Sequence, residues 1–124
     1  MSEQKGCLYG DLTALAAGGA MLDLVNPEGA DLLITNFVVR STVVSTGAAT
    51  LDAGVSAAGA TNDELIDGLD INAALVCESN HDQVTATVVA EHEVVWGSTA
   101  HLVAYGSAAT TGFVGKYYVE YIRL

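Results

Sequence analysis

The longest apolar stretch of the chain runs from Leu32 to Val44 and is rich in Leu, Ile, Val, Thr and Phe, a composition typical of β-strands. Alternation at period two gives it two apolar faces: Leu33, Phe37, Val39 and Val43 on one, and Leu32, Ile34, Val38 and Val44 on the other. A strand at a wet surface has one polar face, whereas this one has none. We therefore expect it at the centre of a sheet or against a neighbouring subunit.

Shorter period-two segments, separated by turns, occupy most of the remaining chain. Before the long strand stands the turn Asn26-Pro27-Glu28-Gly29, which contains the only proline. At the end of the chain, four residues share one face with Lys116 and Glu120 on the other: Phe113, Tyr117, Val119 and Tyr121. The run 84–96 has the same alternation, which predicts one long or two short strands.

This pattern predicts an all-β protein, an antiparallel β-sandwich of about eight strands with jelly-roll or Greek-key connections. We expect one sandwich domain over residues 12–124, preceded by residues 1–11 as an N-terminal arm or first edge segment. The motif Thr61-Asn62-Asp63-Glu64 fits a capping box, which allows at most one short helical turn near Thr61 to Ile66.

The net charge of the chain excludes some classes of binding partner. Fifteen acids and four bases give a net charge of −11, which would repel a phosphate backbone, so we expect no nucleic acid. Residues 1–5 contain no apolar core of a signal peptide, and the run 12–25 is too short to span a bilayer. We expect no membrane partner and assembly in a cytoplasm. Cys7 and Cys77 form no dense cysteine framework, so a disulfide scaffold is not predicted.

Candidate metal ligands lie in two places. Asp63, Glu64, Asp67 and Asp70 surround a glycine-containing turn that could offer oxygen ligands to calcium, although their spacing is not that of an EF-hand. The alternative is a solvated helix start with acids near its positive end, and it is the one we favour. His92 and His101 could face each other across a hairpin, or His92 could be a hydrogen-bonded, partly buried residue.

Catalytic and sugar-binding arrangements find weaker support. Cys77 and His81 could form a nucleophile pair, but no oxyanion site or third orienting group accompanies them, so a buried cysteine and a loop histidine are favoured. A sugar-stacking platform is conceivable in the aromatic set of the last strand: Phe113, Tyr117, Tyr118 and Tyr121. Three of these share a face and are expected in the core, while Tyr118 points elsewhere. We predict no catalytic residue, no cofactor and no metal.

Three segments resemble the small β-sandwich decoration, or cement, proteins that tailed bacteriophages attach to their capsids. They are the turn Asn26-Pro27-Glu28-Gly29 before the long strand, the block GAATLDAGVSAAGATNDELIDGLDI at Gly47 to Ile71, and the ending GFVGKYYVEYIRL at Gly112 to Leu124. The resemblance implies a structural role at the virion surface, in which the chain binds the outer face of an assembled shell and strengthens it. It further implies the major capsid protein as partner, a homo-oligomer, most often a trimer, and no catalytic residues. A receptor- or carbohydrate-binding module of a phage tail or fibre is the alternative.

Overall fold

The computed structural model describes residues 5–60, 62–82 and 93–124. These residues form nine β-strands and one short 3-10 helix, Asn80–Asp82. The strands are β1 (Lys5–Leu12), β2 (Gly19–Val25), β3 (Leu32–Val43), β4 (Thr50–Ser56), β5 (Ile66–Asp70), β6 (Cys77–Ser79), β7 (Val94–Trp96), β8 (His101–Gly106) and β9 (Val114–Arg123). All pair antiparallel, in two sheets.

The two sheets have the strand order of a jelly roll. Sheet A has the order β1-β9-β3-β6, with β7 also pairing with β3, and sheet B has the order β2-β8-β4-β5. Because β1 pairs with β9, β2 with β8, β3 with β6 and β7, and β4 with β5, the chain is one long antiparallel ribbon. The β3–β9 and β4–β8 pairings wind that ribbon into two packed sheets. The predicted all-β sandwich is confirmed.

A β-bulge decides which side of β3 enters the core. The register of β3 against β9 shifts between Ile34 and Asn36, so the inward positions change from even to odd numbers. The inward face holds four side chains with no exposed surface: Leu32, Ile34, Phe37 and Val39. The predicted faces, which kept Leu32 apart from Phe37, are wrong because they assumed unbroken alternation. The central position is confirmed, since β9 lies on one side of β3 and β6 and β7 lie on the other.

Strand β9 alternates as the sequence predicts. Tyr117, Val119 and Tyr121 are buried between the sheets, whereas Lys116 and Glu120 are exposed. On β1 the residues opposite the two tyrosines are glycines: Gly6 pairs with Tyr121, and Gly10 pairs with Tyr117. A Cβ on Gly6 would lie 2.2 Å from Cζ of Tyr121, so the tyrosine ring takes the space that a side chain would need.

Residues 5–12 are therefore part of the sandwich. Of the two interpretations offered for the N-terminal segment, an arm or a first edge segment, the structure has the edge segment from Lys5 onward. Every residue from Lys5 to Leu12 has a partner in β9. The arm interpretation fails because the inward face of β1 is covered by rings from β9, a contact that the hydrophobic pattern of β1 itself does not show.

The single helical turn that the capping box allowed near Thr61 to Ile66 does not form in residues 62–66, and Thr61 itself lies outside the described residues. Residues 62–65 are not helical, and β5 begins at Ile66. The Glu64 side chain bonds to other groups than a capping box requires. Its Oε1 accepts hydrogen bonds from the backbone N–H of Val55 at 3.1 Å and from Asn62 Nδ2 at 2.8 Å. The predicted strand 84–96 is described from residue 93 onward, where Val94–Trp96 forms β7.

The turn at Asn26 joins three parts of the fold. Asn26 is 6% exposed, and its Nδ2 donates to the carbonyl oxygens of Ala30 at 2.9 Å, Trp96 at 3.1 Å and Gly97 at 3.1 Å. Its Oδ1 accepts from the backbone N–H of Glu28 at 2.9 Å and of Gly29 at 3.1 Å. One buried amide thus fixes the β2–β3 turn and ties it to the end of β7.

Candidate functional site

The outward side of sheet A carries a band of apolar and aromatic side chains. Tyr9 on β1 stacks on Tyr118 of β9, with ring centroids 6.3 Å apart and ring planes 22° apart. Tyr9 is 70% exposed and Tyr118 is 36% exposed, so the pair is open to a partner. Six outward residues, which we call the outward band, form two apolar rows across the strands, with Asn36 and Glu120 between the rows. Tyr9, Tyr118 and Val38 make one row, and Ile122, Leu33 and Val95 make the other.

Charge on this side differs from charge on the chain as a whole. Three of the four basic residues, Lys5, Arg40 and Lys116, stand at outward positions of β1, β3 and β9, together with two acids, Asp11 and Glu120. Lys116 Nζ lies 2.6 Å from Asp11 Oδ1, and this hydrogen bond raises the pKa of Lys116, so the lysine stays charged. These three strands therefore carry 3 − 2 = +1 on their outward side, in a chain of net charge −11.

Sheet B is partly covered on its outward side by the loop between β4 and β5. The backbone N–H of Gly59 donates to Asp23 Oδ2 at 2.9 Å, and Asn62 Nδ2 donates to the carbonyl of Val55 at 2.7 Å. A Cβ on Gly54 would lie 3.0 Å from Cβ of Asn62, so this position needs the close approach that glycine allows. Val103 on β8 has no exposed surface. Sheet A therefore presents the more open side of the sandwich.

The four predicted acids do not converge on one point. Asp70 Oδ1 accepts from the backbone N–H of Asn72 at 2.9 Å and of Ala73 at 3.1 Å, and these bonds lower the pKa of Asp70. Glu64 bonds to β4 instead, as described above. Among residues 5–60, 62–82 and 93–124, no group of three or more His, Cys, Asp or Glu side chains could hold a metal ion.

Asp67 has a neighbour that sequence reasoning missed. Partial burial, followed by the charges of Asp63 and Asp52, raises the pKa of Asp67. Asp52 comes from β4, where its Oδ1 accepts a hydrogen bond from the backbone N–H of Gly68 at 2.6 Å. Sequence spacing could not bring Asp52 to this group, since its position depends on the pairing of β4 with β5. The proposed helix start is also wrong, because these residues form a strand and its turns.

The histidines and cysteines have separate local settings. His101 Nδ1 lies 2.5 Å from Asp23 Oδ1, whereas His92, the other member of the predicted histidine pair, lies outside the described residues. His81 Nε2 lies 2.8 Å from the carbonyl oxygen of Thr35, at the bulge of β3. Cys77 and Cys7 are free and exposed, which corrects the expectation of a buried Cys77.

The aromatic set of the last strand divides as predicted. Phe113, Tyr117 and Tyr121 are buried, and Tyr118 points outward. The stacking partner of Tyr118 is Tyr9, which lies in the segment predicted to be an N-terminal arm or first edge segment. The available signal was the alternation of Leu8 and Leu12 with Tyr9 and Asp11, which is that of a strand with one outward face.

Comparisons of the chain with family models, with curated proteins and with solved structures each found no match. In the part of the chain that the structure describes, no helix is long and apolar enough to cross a membrane.

Proposed function

We propose that this chain is a non-enzymatic structural protein that binds a larger assembly through the outward side of sheet A. The observation that carries the proposal is the outward band, a set of apolar and aromatic side chains on four strands of sheet A, of which Tyr9, Val95 and Tyr118 are exposed. Exposed apolar side chains that cluster beside polar residues are typical of interaction sites.

The surroundings of the band suit a docking surface. Strands β3 and β9 are held by the buried side chains on their inward faces, so the outward side chains project from a rigid sheet. The near-neutral charge of this side lowers the cost of bringing it against another protein, because few uncompensated charges lose water there. The rest of the acidic chain keeps its charges in solvent.

In the form that the sequence resemblance implies, the assembly is a phage capsid and the chain is a decoration protein at the virion surface. Its partner is then the major capsid protein, and binding stabilises the shell. The gene of a major capsid protein is expected beside the gene of this chain, and the absence of one would count against this form of the proposal.

Two exposed valines allow a matched test on shells assembled from that capsid protein. Val95 is 51% exposed in the outward band, and Val25 is 67% exposed on sheet B. Val95→Asp puts a charge into the proposed interface and should abolish co-sedimentation with shells, whereas Val25→Asp makes the same chemical change elsewhere and should not. Failure of the unaltered chain to sediment with shells, or equal effects of both variants, would overturn the proposal.

The stacked pair Tyr9 and Tyr118 favours a second candidate, a carbohydrate-binding module. Sugar rings pack against exposed aromatic faces, and this pair offers two nearly parallel rings on one surface. Glycan-array binding that is lost in Tyr118→Ala, together with a low copy number in purified particles, would support this candidate. Many copies per particle and no glycan signal support the decoration protein.

A further inference from the structure

We propose that two copies of this chain pair through the outer edges of their β1 strands, forming an antiparallel two-fold dimer centred on Leu8. The inference concerns the backbone edge of β1 rather than the face of sheet A, although the Tyr9 side chain belongs to both surfaces. It is argued from the edge and its charges, not from what the outward band binds. It would join the two copies of sheet A into one continuous sheet.

Strand β1 is the longest unbroken edge in the described part of the chain. It is eight residues long, contains no proline, and pairs with β9 without a register shift. Strand β2, at the edge of sheet B, has a bulge between Ala20 and Leu22, while β5 and β6 are five and three residues long. A straight edge presents a row of backbone donors and acceptors, which is the template for adding another strand.

The side chains of β1 match themselves across a two-fold axis at Leu8. In that register Lys5 lies opposite Asp11 of the partner subunit, Gly6 opposite the partner's Gly10, and Cys7 opposite the partner's Tyr9. Residues directly opposite in an antiparallel pair share a face, so only registers that pair odd with odd numbers keep both inward faces inward. This register keeps the faces aligned and places opposite charges at both ends.

Neighbouring registers lose that charge complementarity. An axis at Cys7 places Lys5 opposite the partner's Tyr9, and an axis at Tyr9 places Asp11 opposite the partner's Cys7. Asp11 remains 79% exposed despite its bond to Lys116, so a second cation can reach it. The axis at Leu8 is therefore the register in which Lys5 and Asp11 both meet an opposite charge.

The same register covers the most exposed aromatic ring. The two Tyr9 side chains become diagonal neighbours across the axis, at about 7–8 Å, which is within reach of aromatic rings. Each already stacks on the Tyr118 of its own chain. Four tyrosines would then form one row across the dimer, burying part of a ring that is 70% exposed in the single chain.

The mass of the full chain in solution, measured by sedimentation equilibrium, tests the proposal. The single chain has a mass of 12.7 kDa, and we expect twice that mass at high concentration. Lys5→Glu and Asp11→Lys each place like charges opposite each other at both ends, and each should weaken the dimer about tenfold or more. Arg40→Glu is the control for Lys5→Glu, because it makes the same charge change on β3, away from the edge, and should leave the dimer intact.

A mixture of the two charge variants gives the most specific test of the register. In a mixed dimer of Lys5→Glu with Asp11→Lys, both ends pair opposite charges again, so an equimolar mixture should dimerise although neither variant does alone. A mixture of Arg40→Glu with Asp11→Lys should not gain this heterodimer. The proposal is overturned if the chain stays monomeric at about 1 mM, a concentration at which even pairs held by about 4 kcal/mol associate. It is also overturned by a trimer mass, by unchanged dimerisation of Lys5→Glu, or by a mixture that stays monomeric.

Discussion

Replacement of Asn26 by alanine should be among the most damaging single changes in the turns of the sandwich. The Asn26 amide makes five hydrogen bonds at 2.9–3.1 Å, three to carbonyl oxygens and two from backbone N–H groups. A lost hydrogen bond costs about 1 kcal/mol net, and a buried group left without a partner costs about 1–3 kcal/mol. Water can reach part of the turn and replace some of these bonds, so we expect a total loss of about 2–4 kcal/mol.

Urea unfolding followed by tryptophan fluorescence measures this loss directly. Trp96 is the only tryptophan and has no exposed surface, so its emission reports unfolding of the core beside the turn. For a chain of this size the expected loss corresponds to a melting temperature lower by about 10 °C. The slope of the transition should stay unchanged, because the same surface is exposed on unfolding.

Asn36→Ala is the matched control for Asn26→Ala. The Asn36 amide lies on the outward side of β3 and bonds to Glu120 Oε1 at 3.4 Å, a long contact at an exposed position. Its removal should cost about 0.5 kcal/mol or less. If Asn26→Ala cost no more than Asn36→Ala, the turn would not be held by its side chain and the reasoning would be refuted.

Three further changes have defined outcomes. Gly6→Ala should destabilise the fold by about 1–3 kcal/mol in urea unfolding, because the new methyl group displaces the Tyr121 ring and breaks its hydrogen bond to Glu28. An unchanged free energy of unfolding would mean that the ring moves freely. Asp67→Asn should stabilise the fold by about a few tenths of a kcal/mol at neutral pH, discounted for solvent screening. The pKa of Asp67 is raised in the folded chain, so the charged carboxylate destabilises the fold, and this destabilisation grows as pH rises above the pKa of Asp67 in the unfolded chain. Melting curves should therefore show that the advantage of Asp67→Asn vanishes in strong acid. Deletion of residues 1–11 should uncover the inward rings of β9 and abolish cooperative unfolding, and a folded deletion variant with a native melting temperature would contradict the assignment of β1 to the sandwich.

The sequence predicts the winding of the sandwich better than it predicts the strand faces. Alternation in β9 identifies Tyr117, Val119 and Tyr121 as core residues, because that strand has no bulge in its inward pattern. In β3 the same reasoning fails after Ile34, since one extra residue at a bulge reverses the faces of the positions from Asn36 to Ser41. The bulge in β3 depends on its partner strand β9 and on Asn80, whose Oδ1 accepts a hydrogen bond from the N–H of Phe37 at 2.9 Å. Both lie far from β3 in the sequence.

Strand β1 is a second element that the sequence pattern predicts poorly. Its inward positions include Gly6 and Gly10, so only Leu8 and Leu12 carry the hydrophobic alternation by which strands are recognised. The apolar surface comes from Tyr121 and Tyr117 on β9, at the other end of the chain. The outward band was missed for the same reason, since it requires β1 to lie beside β9 and brings Tyr9 against Tyr118.

Covalent footprinting of tyrosines, read by mass spectrometry, tests the central claim most directly. The unaltered chain is labelled alone and bound to capsid shells, at the same concentration. We predict that Tyr118 and Tyr9, on the outward side of sheet A, lose reactivity in the complex, whereas Tyr105, at an outward position on sheet B, keeps its reactivity. Protection of Tyr105 with unchanged labelling of Tyr118 and Tyr9 would contradict the assignment of the binding surface to sheet A.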